Sequence, residues 1–124
     1  MIRSYRDLVA WQKAMELVTQ VYQVSKKFPK EEIYALLSQL RRAAVSIPSN
    51  IAEGQGRSSK GEFLQFLGHA KGSLSELETQ VLIARNLSYL NEAETYKLLE
   101  LTEELGRILN GLVASVKKSK KEQG

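Results

Sequence analysis

Apolar residues recur along this chain at helical spacing in four long stretches, with short turns between them. In the second stretch Ile33, Leu37, Leu40, Ala44, Ile47 and Ile51 alternate steps of four and three, which is one packed face of a helix. The pattern crosses Pro48 in phase. Proline has no N–H and its ring crowds the carbonyl of Ala44, so a kink is expected there rather than an end. Gly54 is expected to close this helix as a left-handed cap, and Ser59-Lys60-Gly61-Glu62 fits a capping box that opens the next. The first helix, capped by Asp7 and running to about Lys27, carries two interlaced stripes. One is Leu8, Trp11, Met15, Val18 and Tyr22; the other is Ala14, Leu17, Val21, Val24 and Phe28. So wide an apolar face predicts contact with more than one neighbour. Phe28-Pro29 breaks the helix, and Lys30-Glu31-Glu32 is expected to open the second, with its acids at the positive end of the helix dipole.

The third helix is expected from Lys60 to Leu87, with Phe63, Leu67, Ala70, Leu74, Leu77, Val81 and Ala84 on its apolar face. Gly68 and Gly72, four residues apart, predict close approach by another helix. Asn91 with Glu94 three residues on caps the fourth helix, where Leu98, Leu101, Leu105, Ile108, Leu112 and Val116 keep the rhythm. Every long apolar pattern has the helical period. The predicted fold is all-α, an antiparallel up-down-up-down four-helix bundle over residues 1–116, followed by a basic tail at 117–124.

A polar stripe runs beside the apolar face of helix two: Arg42, Ser46, Asn50, Glu53 and Arg57. With Arg41 and with Glu76 of helix three it forms a candidate partner-binding set. Two readings stand side by side. One is a solvated face with a kink satisfied by local hydroxyls; the other is a recognition surface or subunit contact. One of Arg41 and Arg42 is expected to pair with the Glu53 stripe, or with Glu76 or Glu78.

Charge changes the picture at one place. The net charge is +4, but residues 1–116 hold 14 Lys and Arg against 13 Asp and Glu, whereas the last eight residues hold Lys117, Lys118, Lys120 and Lys121 against Glu122. Such a run suits the negative end of a helix dipole and also holds phosphates. The up-down topology carries the end of helix four back to the turn between helices two and three. The candidate nucleic-acid-binding set is therefore Arg57, Lys60, Lys117, Lys118, Lys120 and Lys121.

Other chemistry is scarce. There is no cysteine, hence no disulfide framework and no thiolate metal site. A bundle di-metal site needs Glu-x-x-His on two helices; the chain has one histidine, His69, and Phe66 stands three residues before it. No metal, cofactor, catalytic residue or small-molecule substrate is predicted. Gly54-Gln55-Gly56-Arg57 lacks the spacing of a phosphate loop. No long uninterrupted apolar run follows the N-terminus, so the expectation is no signal peptide, no membrane span and a cytoplasmic location.

Certain blocks carry a resemblance. Trp11-Gln12-Lys13-Ala14, Phe28-Pro29, Gln39-Leu40-Arg41-Arg42-Ala43-Ala44, Ser46-Ile47-Pro48-Ser49-Asn50-Ile51-Ala52-Glu53-Gly54 and Glu76-Leu77-Glu78-Thr79 together resemble the bacterial four-helix-bundle family encoded within intervening sequences of 23S ribosomal RNA. The resemblance covers nearly all of the chain short of the lysine tail. It implies a four-helix bundle assembled as a pentameric ring, with no agreed biochemical activity. More distantly, Gly106-Arg107-Ile108-Leu109 and the lysine-rich end resemble the fourth helix of the accessory protein of diversity-generating retroelements, a basic pentameric bundle that works with nucleic acid.

The reading is a non-enzymatic homo-oligomer that binds RNA or DNA, or a partner associated with nucleic acid. The alternative is a structural or protein-interaction ring with no nucleic-acid role. Assembly is expected because the wide face of helix one, a second stripe on helix four (Thr102, Leu109, Val113, Val116) and the paired glycines offer more apolar surface than one bundle interior needs.

Overall fold

The computed structural model describes residues 4–119. A short 3-10 turn (Tyr5–Asp7) leads into helix α1 (Val9–Ser25). A second 3-10 turn (Lys30–Glu32) precedes α2 (Leu36–Gln55), and α3 (Lys60–Asn86) and α4 (Glu92–Lys118) complete the described chain. Each helix packs on the next and α4 closes back on α1, while the backbones of the diagonal pairs α1–α3 and α2–α4 stay apart across the core. That pattern is a square, antiparallel four-helix bundle.

The inner faces follow the apolar spacing. Ala10, Ala14, Leu17 and Val21 of α1 meet Leu40, Ala44, Ile47 and Ile51 of α2, with Leu67, Leu77 and Val81 of α3 and Leu98, Leu105 and Leu109 of α4 across the centre. Removing one of these fully buried leucines costs about 2–5 kcal/mol, because the cavity left behind relaxes only in part. Thr102 is fully buried and donates its hydroxyl to the Leu99 carbonyl. The second stripe of helix four thus turns partly inward: Thr102 and Leu109 are core residues, not an exposed patch.

Several local expectations are corrected. Asp7 does not cap α1; it closes the preceding 3-10 turn by accepting from the Ser4 backbone N–H, and Leu8 enters α1 with no side-chain cap. The acids at 31 and 32 do not begin α2. Glu32 instead reaches forward and accepts from the Leu36 N–H at 3.1 Å, capping the helix from outside. Because α2 starts later than its periodicity, Ile33 is left 45% exposed. Gly54 is not a left-handed cap. It lies buried within α2, and a Cβ there would sit 2.7 Å from Phe66 Cβ and 3.0 Å from a Phe63 ring carbon. Gly54 is needed for close helix approach, and α2 runs on to Gln55 with Gly56 as its C-cap. The helix is continuous through Pro48. Nearby carbonyls gain side-chain donors: Ser49 Oγ to Val45 O and Asn50 Nδ2 to Ser46 O. Gly68 and Gly72 have nothing within 4 Å of an added Cβ, so no described helix of this chain approaches them.

Of the two boxes expected at the other starts, the one at α4 forms in full and the one at α3 forms only its serine half. Asn91 and Glu94 exchange reciprocal bonds at the head of α4. Ser59 accepts from the Glu62 N–H, while the Glu62 carboxylate takes the Ser59 hydroxyl. At the end of α3 Ser88 has φ 63°, with Tyr89 N–H bonded to Ala84 O and Ser88 N–H to Arg85 O. This is a Schellman closure with serine where glycine is usual.

Candidate functional site

The α2–α3 turn and the end of α4 meet at one end of the bundle. Lys60 Nζ donates to Lys117 O at 3.1 Å and to Ser119 O at 2.9 Å, so an α3 lysine satisfies carbonyls that the end of α4 leaves open. The cation also suits the negative end of the α4 dipole. Arg57 lies over the Phe66 ring at 4.7 Å and donates to Glu53 Oε2 at 2.9 Å. Phe66 is the side chain against which Gly54 closes, so the glycine that brings α2 onto α3 also sets the platform under Arg57. A cleft of about 330 Å³ between Arg57, Lys60, Phe63, Leu112 and Ser115 opens here. Lys117 and Lys118 continue α4 as exposed helical residues. Lys120 and Lys121 lie outside the described residues. The structure therefore brings together Arg57, Lys60, Lys117 and Lys118, with Arg57 and Lys60 already engaged by protein groups.

The polar stripe divides. Ser46 and Ser73 share a hydrogen bond at 2.8 Å across the α2–α3 seam, and Asn50 Nδ2 donates to Ser46 Oγ at 3.0 Å. Small hydroxyl groups let these helices sit close while each polar atom keeps a partner. Arg42, Ser46 and Glu76 line a groove of about 510 Å³ with Tyr34, Ser38 and Ser73; Asn50 and Glu53 lie further along α2. Glu76 accepts from Gln80 Nε2 at 3.3 Å, and Gln80 Oε1 is buried without a protein partner.

Neither arginine pairs with Glu53, Glu76 or Glu78. Arg42 donates to Ser38 Oγ at 3.1 Å. One residue is about 100° of helix rotation, and Arg41 consequently faces α1. Its Nε donates to the fully buried Ser25 Oγ at 2.9 Å, its Nη2 to Tyr22 O at 3.3 Å, and its guanidinium lies 4.5 Å over the Tyr22 ring. There it borders a broad cavity of about 790 Å³ shared with Arg42, Lys26 and Lys30. Lys26 and Lys30 are absent from the sequence-predicted sets. They stand far from Arg41 and Arg42 in sequence and form no charge run with them; only the packing of α1 on α2 brings the four together.

Two bonds fasten this second end. Lys27 Nζ bonds Glu94 Oε1 at 2.6 Å, and that bond, with the Asn91 N–H, holds the Glu94 carboxyl below its ordinary value. Tyr89 OH donates to Glu32 Oε2 at 2.8 Å, which pushes the phenol above its ordinary value. Among the described residues no group of three or more His, Cys, Asp or Glu could hold a metal ion. His69 is exposed, with its ring edge-on to Phe66 at 5.9 Å. No described helix is long and apolar enough to cross a membrane.

A family model described as 23S rRNA-intervening sequence protein matches residues 6–111. Among solved structures, a protein of unknown function from the S23 ribosomal protein family of Bacteroides thetaiotaomicron superposes with a TM-score of 0.79. It is 20% identical, and the match covers 86% of this chain and 96% of that one. At that identity the likeness speaks for the fold. No match was found among curated proteins.

Proposed function

The chain belongs to the 23S rRNA-intervening sequence protein family, and from that premise we propose that it is a non-enzymatic, self-associating bundle that binds the phosphate backbone of RNA or DNA through the end where α2, α3 and α4 meet. The observation that carries this reading is the pair of bonds from Lys60 to the Lys117 and Ser119 carbonyls. They hold the end of α4 at the turn that carries Arg57 and Lys60, so that charges far apart in sequence lie at one end of the bundle. Repetition of that end around an oligomer multiplies weak contacts through avidity. Self-association is supported by large apolar side chains that one bundle does not use, among them Tyr96 at 70%, Val9 at 56% and Leu87 at 50% exposed.

Fluorescence anisotropy with labelled RNA and DNA over a salt series tests the reading. Neutralising Lys117, Lys118, Lys120 and Lys121 to glutamine keeps the helix end and its carbonyls. The expected result is weaker binding. On duplex DNA the log–log salt slope should flatten by about 0.9 for each phosphate no longer neutralised. Absence of binding by the intact protein at low salt overturns it. A protein-interaction role is favoured by a different observation: Tyr34, 96% exposed beside the half-exposed Ile33, offers an aromatic anchor at the opposite end.

A further inference from the structure

We propose that the cavity between α1 and α2 is a separate binding site for the phosphate groups of a nucleotide. It lies beside the end of α1 and the start of α2, at the other end of the bundle from Lys60 and Lys117. Lys26, Lys30, Arg41 and Arg42 line it, and no acidic residue does. Neither Lys26 nor Lys30 forms an ion pair among the described residues. Of the two acids that follow Lys30, Glu32 is turned away to the Tyr89 hydroxyl and the Leu36 N–H, and Glu31 is exposed and does not line the cavity. Four cations around one concavity repel each other, and an anion between them relieves that repulsion.

The arginines fit phosphate better than a diffuse charge would. Arg41 is held from behind by Ser25 Oγ, Tyr22 O and the Tyr22 ring, which leaves three of its five N–H groups without a protein partner. A guanidinium fixed in this way is ready to take two phosphate oxygens at once. Phe28, Leu37, Ile33 and Val45 form an apolar wall, the last two 45% and 40% exposed, and Tyr22 and Ser38, the partners of the two arginines, complete the lining. A volume near 790 Å³ is in the range of small-ligand sites. Cationic forks beside an apolar wall match a ligand with a phosphate head and a flat, poorly hydrated body. A nucleotide has both, whether free or within a strand.

Titration calorimetry with ATP, inorganic pyrophosphate, adenosine and a twelve-residue oligothymidylate tests the site on the intact protein. ATP is expected to bind once per chain, pyrophosphate more weakly and adenosine not at all. The double variant K30Q/R42Q changes two side chains that are exposed and is expected to lose about tenfold or more in affinity, the equivalent of one charge-assisted hydrogen bond. Its melting temperature should be unchanged. If the double variant melts early, amide shifts on ATP addition confined to residues 22–45 of the unaltered protein serve in its place. The four-lysine tail variant should bind ATP as the parent does, which separates this site from the α4 end. If ATP binds and the oligonucleotide does not displace it, the ligand is a free nucleotide; if the oligonucleotide displaces it, or binds alone with the same loss in K30Q/R42Q, the ligand is a strand. Saturation by neither probe at millimolar concentration overturns the site, as does binding that survives K30Q/R42Q undiminished or disappears in the tail variant.

Discussion

The two cationic ends of this bundle are built on opposite plans. At the α2–α3 turn the basic residues are tied up: Arg57 by Glu53 and Phe66, Lys60 by two carbonyls of α4. What remains for an external phosphate there is the exposed lysines along the end of α4. At the α1–α2 cavity the arginines are held by neutral groups only, serine hydroxyls, a carbonyl and a ring, so their positive charge is positioned without being cancelled. The difference shows that closeness of cations in sequence says little about whether their charge is available. A carboxylate partner cancels the charge, as Glu53 does for Arg57, whereas neutral partners leave the charge and decide only how many N–H donors stay open, one on Lys60 against three on Arg41.

The largest expected effect tests the first plan. Gly54→Ala drives a methyl group into Phe66 and Phe63, the aromatic platform under Arg57. Because the clash is with Phe66 Cβ, which cannot swing away, the cost lies at the top of the overpacking range, about 3 kcal/mol, and improved helix propensity returns about 1 kcal/mol. A net loss in urea unfolding, with weaker RNA or DNA binding, is the expected outcome; a gain in stability would show that α2 and α3 do not approach closely there.

At the cavity, Ser25→Ala removes the fully buried acceptor behind Arg41 Nε. The expected destabilisation is about 1–2 kcal/mol, since a hydrogen bond from a charged group to a buried hydroxyl is removed in a half-buried setting. An unchanged denaturation midpoint would mean that Arg41 is not held from behind. Ser88→Gly should act in the opposite direction. Serine at φ 63° bears the left-handed cost that glycine escapes, and a gain of about 1 kcal/mol in thermal unfolding is expected, with ATP binding unaltered.

The smallest effect concerns Lys27, the cavity-end cation that does have an acid. Its bond lowers the folded-state pKa of Glu94 below the ordinary 4.5. The sign follows: the unfolded chain binds the proton more readily, so the pair contributes stability above the ordinary value and loses it as pH falls through the lower, folded value. Glu94→Gln should therefore be less stable than the parent at neutral pH by no more than about 1 kcal/mol, and the two should converge in acid. Parallel stability curves across that range would dissociate Glu94 from the acid response.

The four helices were legible because each apolar stripe is a local, periodic signal that only a helix satisfies. The Asn91–Glu94 box and the Ser59 cap were legible for the same reason, as their bonds span three residues. Joining of the lysine end of α4 to the α2–α3 turn also followed from periodicity, because four helices with short connections leave one antiparallel arrangement. Periodicity did not reveal the role of Gly54, whose constraint comes from Phe66 on another helix. Nor did it reveal the start of α2, which Glu32 sets from outside the pattern. It also did not separate Arg41 from Arg42, because which side of α2 faces α1 depends on how the bundle is rolled up. What sequence determined by itself was the set of helices and their order, since those rest on contacts a few residues apart. What tertiary structure alone decided was which donors are taken up and which stay open, since that depends on partners such as Ser25, Tyr22 and the Lys117 carbonyl, which packing brings to Arg41 and Lys60 from distant parts of the chain.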